Sequence, residues 1–264
     1  CTVALGGDGG DELFGGYVHY DRLLRLSKWW RWIPDGLGRF VASTAEKLLP
    51  IGFRGRNYLM ALRASRNGEL GLPAICFDRT ARRRLLVGTF DQADVESDPE
   101  YEKQRLSRRF ESLLQKATSV DFLTYLCEDI LVKVDRTSML ASLEVRSPLL
   151  DHRIIEFAYG KVPDHLKATV SDRKILLKRL AQRLLPSGFD LKRKQGFSIP
   201  MREWFKGEWG KVLCEILREA PSDLFCPRFI ARLIAGQMRG WNNGERIFAL
   251  AVFELWRREY RVAY

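Results

Sequence analysis

The chain opens on one short apolar run, Thr2-Val3-Ala4-Leu5, and then sets six glycines among the twelve residues from Gly6 to Tyr17. A parallel strand has to be covered and flanked by others, yet nothing later in the chain reads plainly as a partner for 2–5. Glycine tolerates positive φ and lets backbone approach a ligand, so a glycine-dense turn after a strand can aim N–H groups at phosphate oxygens. Asp8, Asp11 and Glu12 in the same turn would repel an anion unless a divalent metal or a substrate ammonium came between. The loop therefore reads as an edge for a nucleotide with magnesium, or for an amino substrate. It reads equally as a tight turn, with Asp8 as a turn-stabilising side chain. No G-x-x-x-x-G-K-[ST] is present, and the loop lacks the G-x-G-x-x-G order.

Beyond the loop the sequence is almost entirely helical in pattern. Apolar residues at three- and four-residue spacing predict helices over 17–32, 37–49, 53–65 and 101–117, punctuated by Pro34, Pro50 and Pro99. A helix over 119–131 and another over 134–143 follow, then an extended stretch from Glu144 to Pro148. Asp151 has the place of an N-cap for 154–158. Helices are also expected over 171–185, 201–219, 227–239 and 243–260, the last burying Ile247, Leu250, Val252, Phe253 and Trp256. The segment 66–98 is the least patterned, and the polar connection 187–200 has the composition of a mobile active-site loop.

Composition narrows the function classes. The 264 residues allow one substantial core or two small ones. No apolar run reaches the ~20 residues of a membrane span and no signal-peptide pattern opens the chain, so a cytoplasmic protein without membrane partners is the default. Five scattered cysteines form no C-x-x-C pair and three histidines lack metal-site spacing. Any metal must come through carboxylates. The net charge of +11 invites nucleic acid, but the basic residues are spread through Arg82-Arg83-Arg84, Lys192-Arg193-Lys194 and elsewhere without a nucleic-acid module. No nucleic-acid partner is expected.

Three further segments carry chemistry: Glu128-Asp129-Ile130-Leu131-Val132-Lys133-Val134-Asp135-Arg136, Leu143-Glu144-Val145-Arg146-Ser147-Pro148-Leu149-Leu150-Asp151, and Arg193-Lys194-Gln195-Gly196-Phe197 with Pro200 and Trp204. With the glycine loop they form four ordered blocks, and the chain resembles the C-terminal synthetase domain of glutamine-hydrolysing asparagine synthetases. Its relatives read close to S-G-D-G-G-D-E-L-F-G-G-Y, D-D-I-L-V-K-V-D-R-x-S-M, L-E-x-R-x-P-F-L-D and R-K-Q-G-F-x-x-P-x-x-x-W. The resemblance implies a mainly α chain: the helix-rich, C-terminal part of an α/β adenine-nucleotide α-hydrolase-like (PP-loop ATP pyrophosphatase) domain, with one residual parallel strand at its start. Residues 1–264 would then be a partial synthetase domain. The S-G-G-x-D-S nucleotide loop and the glutaminase domain would lie upstream, so synthesis is not expected from these residues alone. A terminal cysteine is the glutaminase nucleophile in relatives, but Cys1 begins the strand before the loop and does not resemble a glutaminase start.

The family reaction is ATP-dependent amidation of aspartate through β-aspartyl-AMP, releasing AMP and pyrophosphate, with ammonia supplied from glutamine by the glutaminase domain. The resemblance leaves room for a homodimer of the full-length protein. All the reacting partners are anionic, so catalysis needs cations and backbone donors where charge develops. By motif match Gly6 and Gly7 line the nucleotide and Asp11 is the magnesium or pyrophosphate-side ligand. Asp8 lies near the acyl acceptor, to hold its ammonium or to take a proton from ammonia. Asp129 faces the acyl-adenylate, and Lys194 follows charge onto the α-phosphate and leaving pyrophosphate. Asp135, Arg136, Glu144 and Arg146 are expected to form a partly buried ion-pair framework. Two departures stand out: Gly6 replaces the family serine, and Leu149 the family phenylalanine. Relatives amidating another acid or closing a lactam ring share these motifs, and a non-catalytic helical interaction module is a further alternative.

Overall fold

The computed structural model describes residues 1–30, 32–64, 76–88, 98–191, 200–205 and 207–262. They fall into two compact units: one built from Cys1–Pro34, Ala64–Leu72 and Tyr101–Gln195, the other from Asp35–Arg63, Pro73–Glu100 and Gly196–Tyr264. No helix among the described residues is long and apolar enough to cross a membrane.

In the first unit the expected lone strand has a partner. Strand β1 (Val3–Leu5) pairs in parallel with β2 (Glu144–Arg146), Val3 facing Glu144, Ala4 facing Val145 and Leu5 facing Arg146. The expectation of one residual strand is corrected to a two-stranded sheet. The sequence concealed the pairing because β2 carries a charged residue at either end, where a buried parallel strand would be continuously apolar. Between the strands run α1 (Gly10–Phe14), α2 (Val18–Trp30), α3 (Leu113–Asp121), a π-helix (Phe122–Ile130) and α4 (Leu131–Met139). After β2 come α5 (His152–Gly160), α6 (Asp164–Lys167) and α7 (Ile175–Leu184).

Several expected helices take different forms. The span 201–219 is broken into Met201–Trp204 and Glu208–Arg218, with the Gly207 amide bonded to the Trp204 carbonyl at 3.1 Å between them. The span 101–117 is broken into Pro99–Ser107 and α3, because Ser112 caps α3 by accepting from the Gln115 amide at 3.0 Å. The helix expected over 119–131 is wound as a π-helix across 122–130, with the Leu131 amide bonded to the Leu126 carbonyl. Asp151 does cap its helix, accepting from the Arg153 amide at 2.9 Å. Leu13 and Phe14 of α1 are buried against Ala158 and Val162, flanked by Phe122, Ile154, Tyr159 and Leu177. This cluster fixes α1 and with it the loop that precedes it. Lys167 is fully buried there, its ammonium 4.7 Å from the Tyr159 ring centre and without a hydrogen-bond partner among the described residues. Burial pushes it down to about 8.

The second unit packs Leu213 and Leu217 of the helix Glu208–Arg218, Phe229, Ile230 and Leu233 of Pro227–Met238, and Ile247, Leu250 and Ala251 of Gly244–Glu259. Ala81 and Leu85 join them from Arg79–Leu85, a helix inside the stretch the sequence left unpatterned. Most of that stretch, 66–75 and 89–97, lies outside the described residues. The expected burial in the last helix is corrected. Ile247 and Leu250 are buried, but Val252, Phe253 and Trp256 are 45%, 42% and 47% exposed, because at 100° per residue the inward face continues through Ala251 and Glu254. The buried Arg56 pairs with Asp78 at 2.7 Å, and Asp78 also caps Arg79–Leu85.

Gly9 has φ +85°, and a Cβ there would collide with the Leu150 side chain. Gly9→Ala is expected to destabilise the protein by roughly 1–3 kcal/mol, from left-handed strain plus overpacking. An unchanged urea midpoint would show that the turn is not held in this form.

Candidate functional site

The glycine loop starts in register with the second strand. The Gly6 amide donates to the Arg146 carbonyl at 2.7 Å, one residue beyond the β1–β2 ladder. Ser147, next along, donates from its hydroxyl to Asp8 Oδ2 at 3.1 Å. A Cβ at position 6 would lie 2.7 Å from that same oxygen and 3.5 Å from Ser147 Oγ. The absent side chain at 6 lets the Asp8 carboxylate fold back over the strand end, and Ser147 brings a hydroxyl beside the place from which the departure at Gly6 removes one. At Gly7 a Cβ would meet nothing within 4 Å. The loop backbone is open there.

Asp11 is held by a residue that motif reading passed over. Lys174 Nζ lies 3.0 Å from Asp11 Oδ1, both side chains about a quarter exposed at 29% and 25%. Lys174 has φ 52° and ψ 37°, a left-handed backbone unusual for a lysine. The turn before it enforces this: Ala168 and Arg173 form an antiparallel bridge, the Thr169 amide donates to the Asp172 carbonyl at 2.8 Å, and Asp172 pairs with Lys178. Gly16 makes room for the contact, since any Cβ there would strike Asp11 Oδ1 and Lys174 Cε. The sequence reading put Lys174 inside the helix expected over 171–185, which does not single it out; the helix begins only at Ile175.

Beneath the loop lies a partly buried polar network. Glu12 is 1% exposed and accepts from the Tyr17 hydroxyl. Burial pushes the Glu12 carboxyl up despite that bond. The Tyr17 ring stacks on His19 at 5.3 Å and meets the edge of Tyr125 at 5.8 Å. Asp121 Oδ2 accepts from the Tyr20 hydroxyl and contacts His19 Nε2, both at 2.7 Å. Burial and the neighbouring Asp121 push Tyr20 well up. The Tyr125 hydroxyl is raised by burial and then by the charge of Asp129, one helical turn further on. Asp129 itself is on the π-helix, 55% exposed and 4.0 Å from Lys133 Nζ. Long π segments are rare and often mark functional sites.

Gly6, Gly7 and Asp8 thus share one loop, with Asp11 directly after it in the first turn of α1, while Asp129 stands on the π-helix beside Lys133. Lys194 lies outside the described residues. The expected buried ion-pair framework is corrected: Glu144 and Arg146 pair at 2.6 Å but are 53% and 63% exposed, and Asp135 and Arg136 are exposed on α4. Among the described residues no three His, Cys, Asp or Glu side chains come together as a metal cage. Magnesium needs none where it is carried on substrate phosphates, since it then takes only one or two carboxylates. Asp11 suits that role, with Lys174 supplying the cation beside it.

The family model described as asparagine synthase matches residues 1–258, and the chain belongs to that family. It is 31% identical over 261 residues to asparagine synthetase (glutamine-hydrolyzing) 1 of Bacillus subtilis, covering 97% of this chain and 40% of that protein. A Mycobacterium bovis relative is 31% identical over 268 residues, 96% of this chain and 39% of its own length. Asparagine synthetase (glutamine-hydrolyzing) 3 of Bacillus subtilis is 33% identical over 88 residues, 32% of this chain and 14% of that protein. The chain spans about 40% of the length of the first relative. No solved structure matches it.

Glu12 gives this region a pH signature. Its folded pKa is raised above the ordinary 4.5, so the folded state keeps a proton that the unfolded chain has released. Stability attributable to Glu12 is then greatest below about pH 4.5 and falls as pH rises through the raised value. Glu12→Gln keeps an acceptor for Tyr17 and cannot titrate, so its urea midpoint should stay flatter across that window. Parallel profiles for wild type and variant would mean that Glu12 carries no linked proton.

Proposed function

We propose that the chain is the synthetase part of a glutamine-hydrolysing asparagine synthetase, activating aspartate with ATP as β-aspartyl-AMP and pyrophosphate, then amidating it with ammonia. The observation that carries this reading is the loop Gly6–Asp11, docked on Arg146 and Ser147 with Asp8 and Asp11 both anchored and Gly7 open. The fold read from the family, an adenine-nucleotide α-hydrolase-like domain, belongs to the same proposal. So does residues 1–264 being part of a larger synthetase domain whose S-G-G-x-D-S loop and glutaminase partner lie upstream.

In this reading Gly6 and Gly7 bring backbone against the nucleotide, where no side chain intervenes. Asp8, oriented by Ser147, holds the acceptor's ammonium or takes a proton from the attacking ammonia. Asp11 would hold magnesium carried on substrate phosphates, and the ion would supply charge neutralisation on the pyrophosphate side. When Asp11 turns to that role, Lys174 Nζ is left beside the anionic phosphates, where a cation is wanted as charge moves onto the leaving group. Lys194, outside the described residues, would follow the same charge. Asp129 faces the acyl-adenylate across Tyr125. Aspartate is the acceptor by family membership; Gly6 and Ser147, near the nucleotide edge, are where a preference for another carboxylate would be set.

These 264 residues assayed alone should make no asparagine from aspartate, ATP and ammonia, since they hold no S-G-G-x-D-S. A chimera in which they replace the matching part of the Bacillus subtilis relative should form AMP and asparagine together. Asp11→Asn in that chimera should lose at least ~100-fold in rate, the scale of removing one electrostatic contact to a transition state. Binding of magnesium pyrophosphate to the 264-residue chain, followed by calorimetry, should weaken in Asp11→Asn. A soluble chimera that releases AMP without aspartate, or an Asp11→Asn variant that keeps both rate and binding, would sink the reading.

A further inference from the structure

The second unit carries a pocket lined by none of the candidate site residues, with a volume of about 380 Å³, within the range of small-molecule sites. Its floor is apolar. Phe229, Leu233 and Gly236 follow at four- and three-residue spacing along Pro227–Met238, facing Leu48, Pro50 and Trp241. Gly236 admits the indole, since a Cβ there would lie 2.6 Å from Trp241 Cε3 and 2.8 Å from Asn243 Nδ2. The Trp241 amide donates to the Gly236 carbonyl at 3.0 Å, Asn243 Nδ2 donates to the Leu233 carbonyl at 3.2 Å, and the Asn242 amide reaches the Gly52 carbonyl at 3.2 Å. These bonds brace the aromatic wall and the 50–52 turn.

The rim is entirely basic. Lys47, Arg84, Arg232 and Arg239 line it, and no carboxylate does. None of the four makes an ion pair with a described residue. Two positions away on the Arg84 helix, Arg82 pairs with Asp98 at 2.8 Å and with Glu100. The unit therefore neutralises its arginines where carboxylates are near and leaves four like charges around one apolar cavity, in a chain already at +11. Like charges gathered without counter-charge repel, and a bound anion relieves that repulsion.

We propose that this pocket is a binding site for an amphiphilic anion: a small molecule with a phosphate or carboxylate head on an apolar body, its body on Phe229, Leu233 and Trp241 and its head among Arg84, Arg232 and Arg239. The head meets paired guanidinium donors, which suit planar or tetrahedral oxyanions. The body covers the exposed Leu48 side chain, 74% accessible in its absence. None of the lining residues has a role in the amidation chemistry proposed above, and the ligand need not be a substrate.

Calorimetry on the 264-residue chain tests this with four probes: octyl phosphate, octanoate, octanol and inorganic phosphate. Saturable binding is expected for octyl phosphate or octanoate, whichever binds tighter naming the head, and at least about tenfold weaker binding for octanol and inorganic phosphate, which each lack one half of the recognition. Arg84→Gln with Arg232→Gln should weaken the better probe by about tenfold or more, and Leu48→Glu should do so from the apolar side. Arg228→Gln, on the same helix but outside the lining, should leave it unchanged. These positions are exposed, so the fold is retained, which thermal melting verifies. Equal binding of inorganic phosphate and octyl phosphate would reduce the site to general electrostatics and overturn the proposal. So would equal weakening by Arg228→Gln, or no binding of either amphiphile.

Discussion

The parallel pairing of Val3–Leu5 with Glu144–Arg146 is the constraint on which the candidate site rests. It joins segments about 140 residues apart in sequence, and closing so long a loop is costly in chain entropy. Three hydrogen bonds extend or border the ladder: the Glu144 amide to the Thr2 carbonyl at 2.9 Å, the Gly6 amide to the Arg146 carbonyl at 2.7 Å, and Ser147 to Asp8 at 3.1 Å. Each net bond is worth only about 1 kcal/mol, somewhat more for one to a carboxylate. The strands cannot hold themselves together on that. What holds them is the burial of Leu13 and Phe14 against α5, since α1 follows the loop and α5 follows β2. The apolar cluster positions the loop, and the hydrogen bonds set its register.

This division explains what the sequence disclosed. The glycines, the helices over 18–30 and 227–238, and the Asp151 cap are local devices, written in residues that can be read in order. The family blocks disclosed membership for the same reason. The partner of β1 was hidden because β2 is a three-residue strand with Glu144 and Arg146 exposed at its ends, a pattern that periodicity cannot tell from a loop. The π-helix was hidden because an extra residue per turn changes hydrogen bonding without changing composition. Glu12 was legible as one acid among three. That it is buried while Asp8 and Asp11 are partly open follows from α1, whose inward face carries Leu13 beside it.

The π-helix and the network below the loop form one device. Asp121 ends α3, and Tyr125 and Asp129 lie on the π turn that follows it. Through Tyr20, His19 and Tyr17 the network connects Asp121 to Glu12 on α1. Where a polar network is buried, as this one is at Glu12 and Tyr20, it favours one arrangement of the elements it joins, because an alternative leaves a desolvated group unpaired. Here it ties the glycine loop's own helix to the helix that carries the second candidate carboxylate. The two acidic groups that motif reading named separately are therefore placed by a common frame that it did not name.

Lys174 bears most directly on mechanism. A non-glycine residue in the left-handed region costs roughly 1–2 kcal/mol, while a partly exposed ion pair returns about 0–1 kcal/mol. The contact with Asp11 therefore does not account for the backbone that delivers it. The bridge at Ala168 and Arg173 and the pair between Asp172 and Lys178 hold the strained residue from behind, and Gly16 clears its path. Structure that supports an unfavourable backbone in order to place one ammonium beside one carboxylate is organised around the location of that charge. The location is the open end of a glycine loop, where an incoming anion would meet it. Strain of this kind clusters at sites whose geometry is fixed before a ligand arrives, and of the left-handed non-glycine residues described, Ser142, Lys174 and Arg261, Lys174 is the one beside the glycine loop.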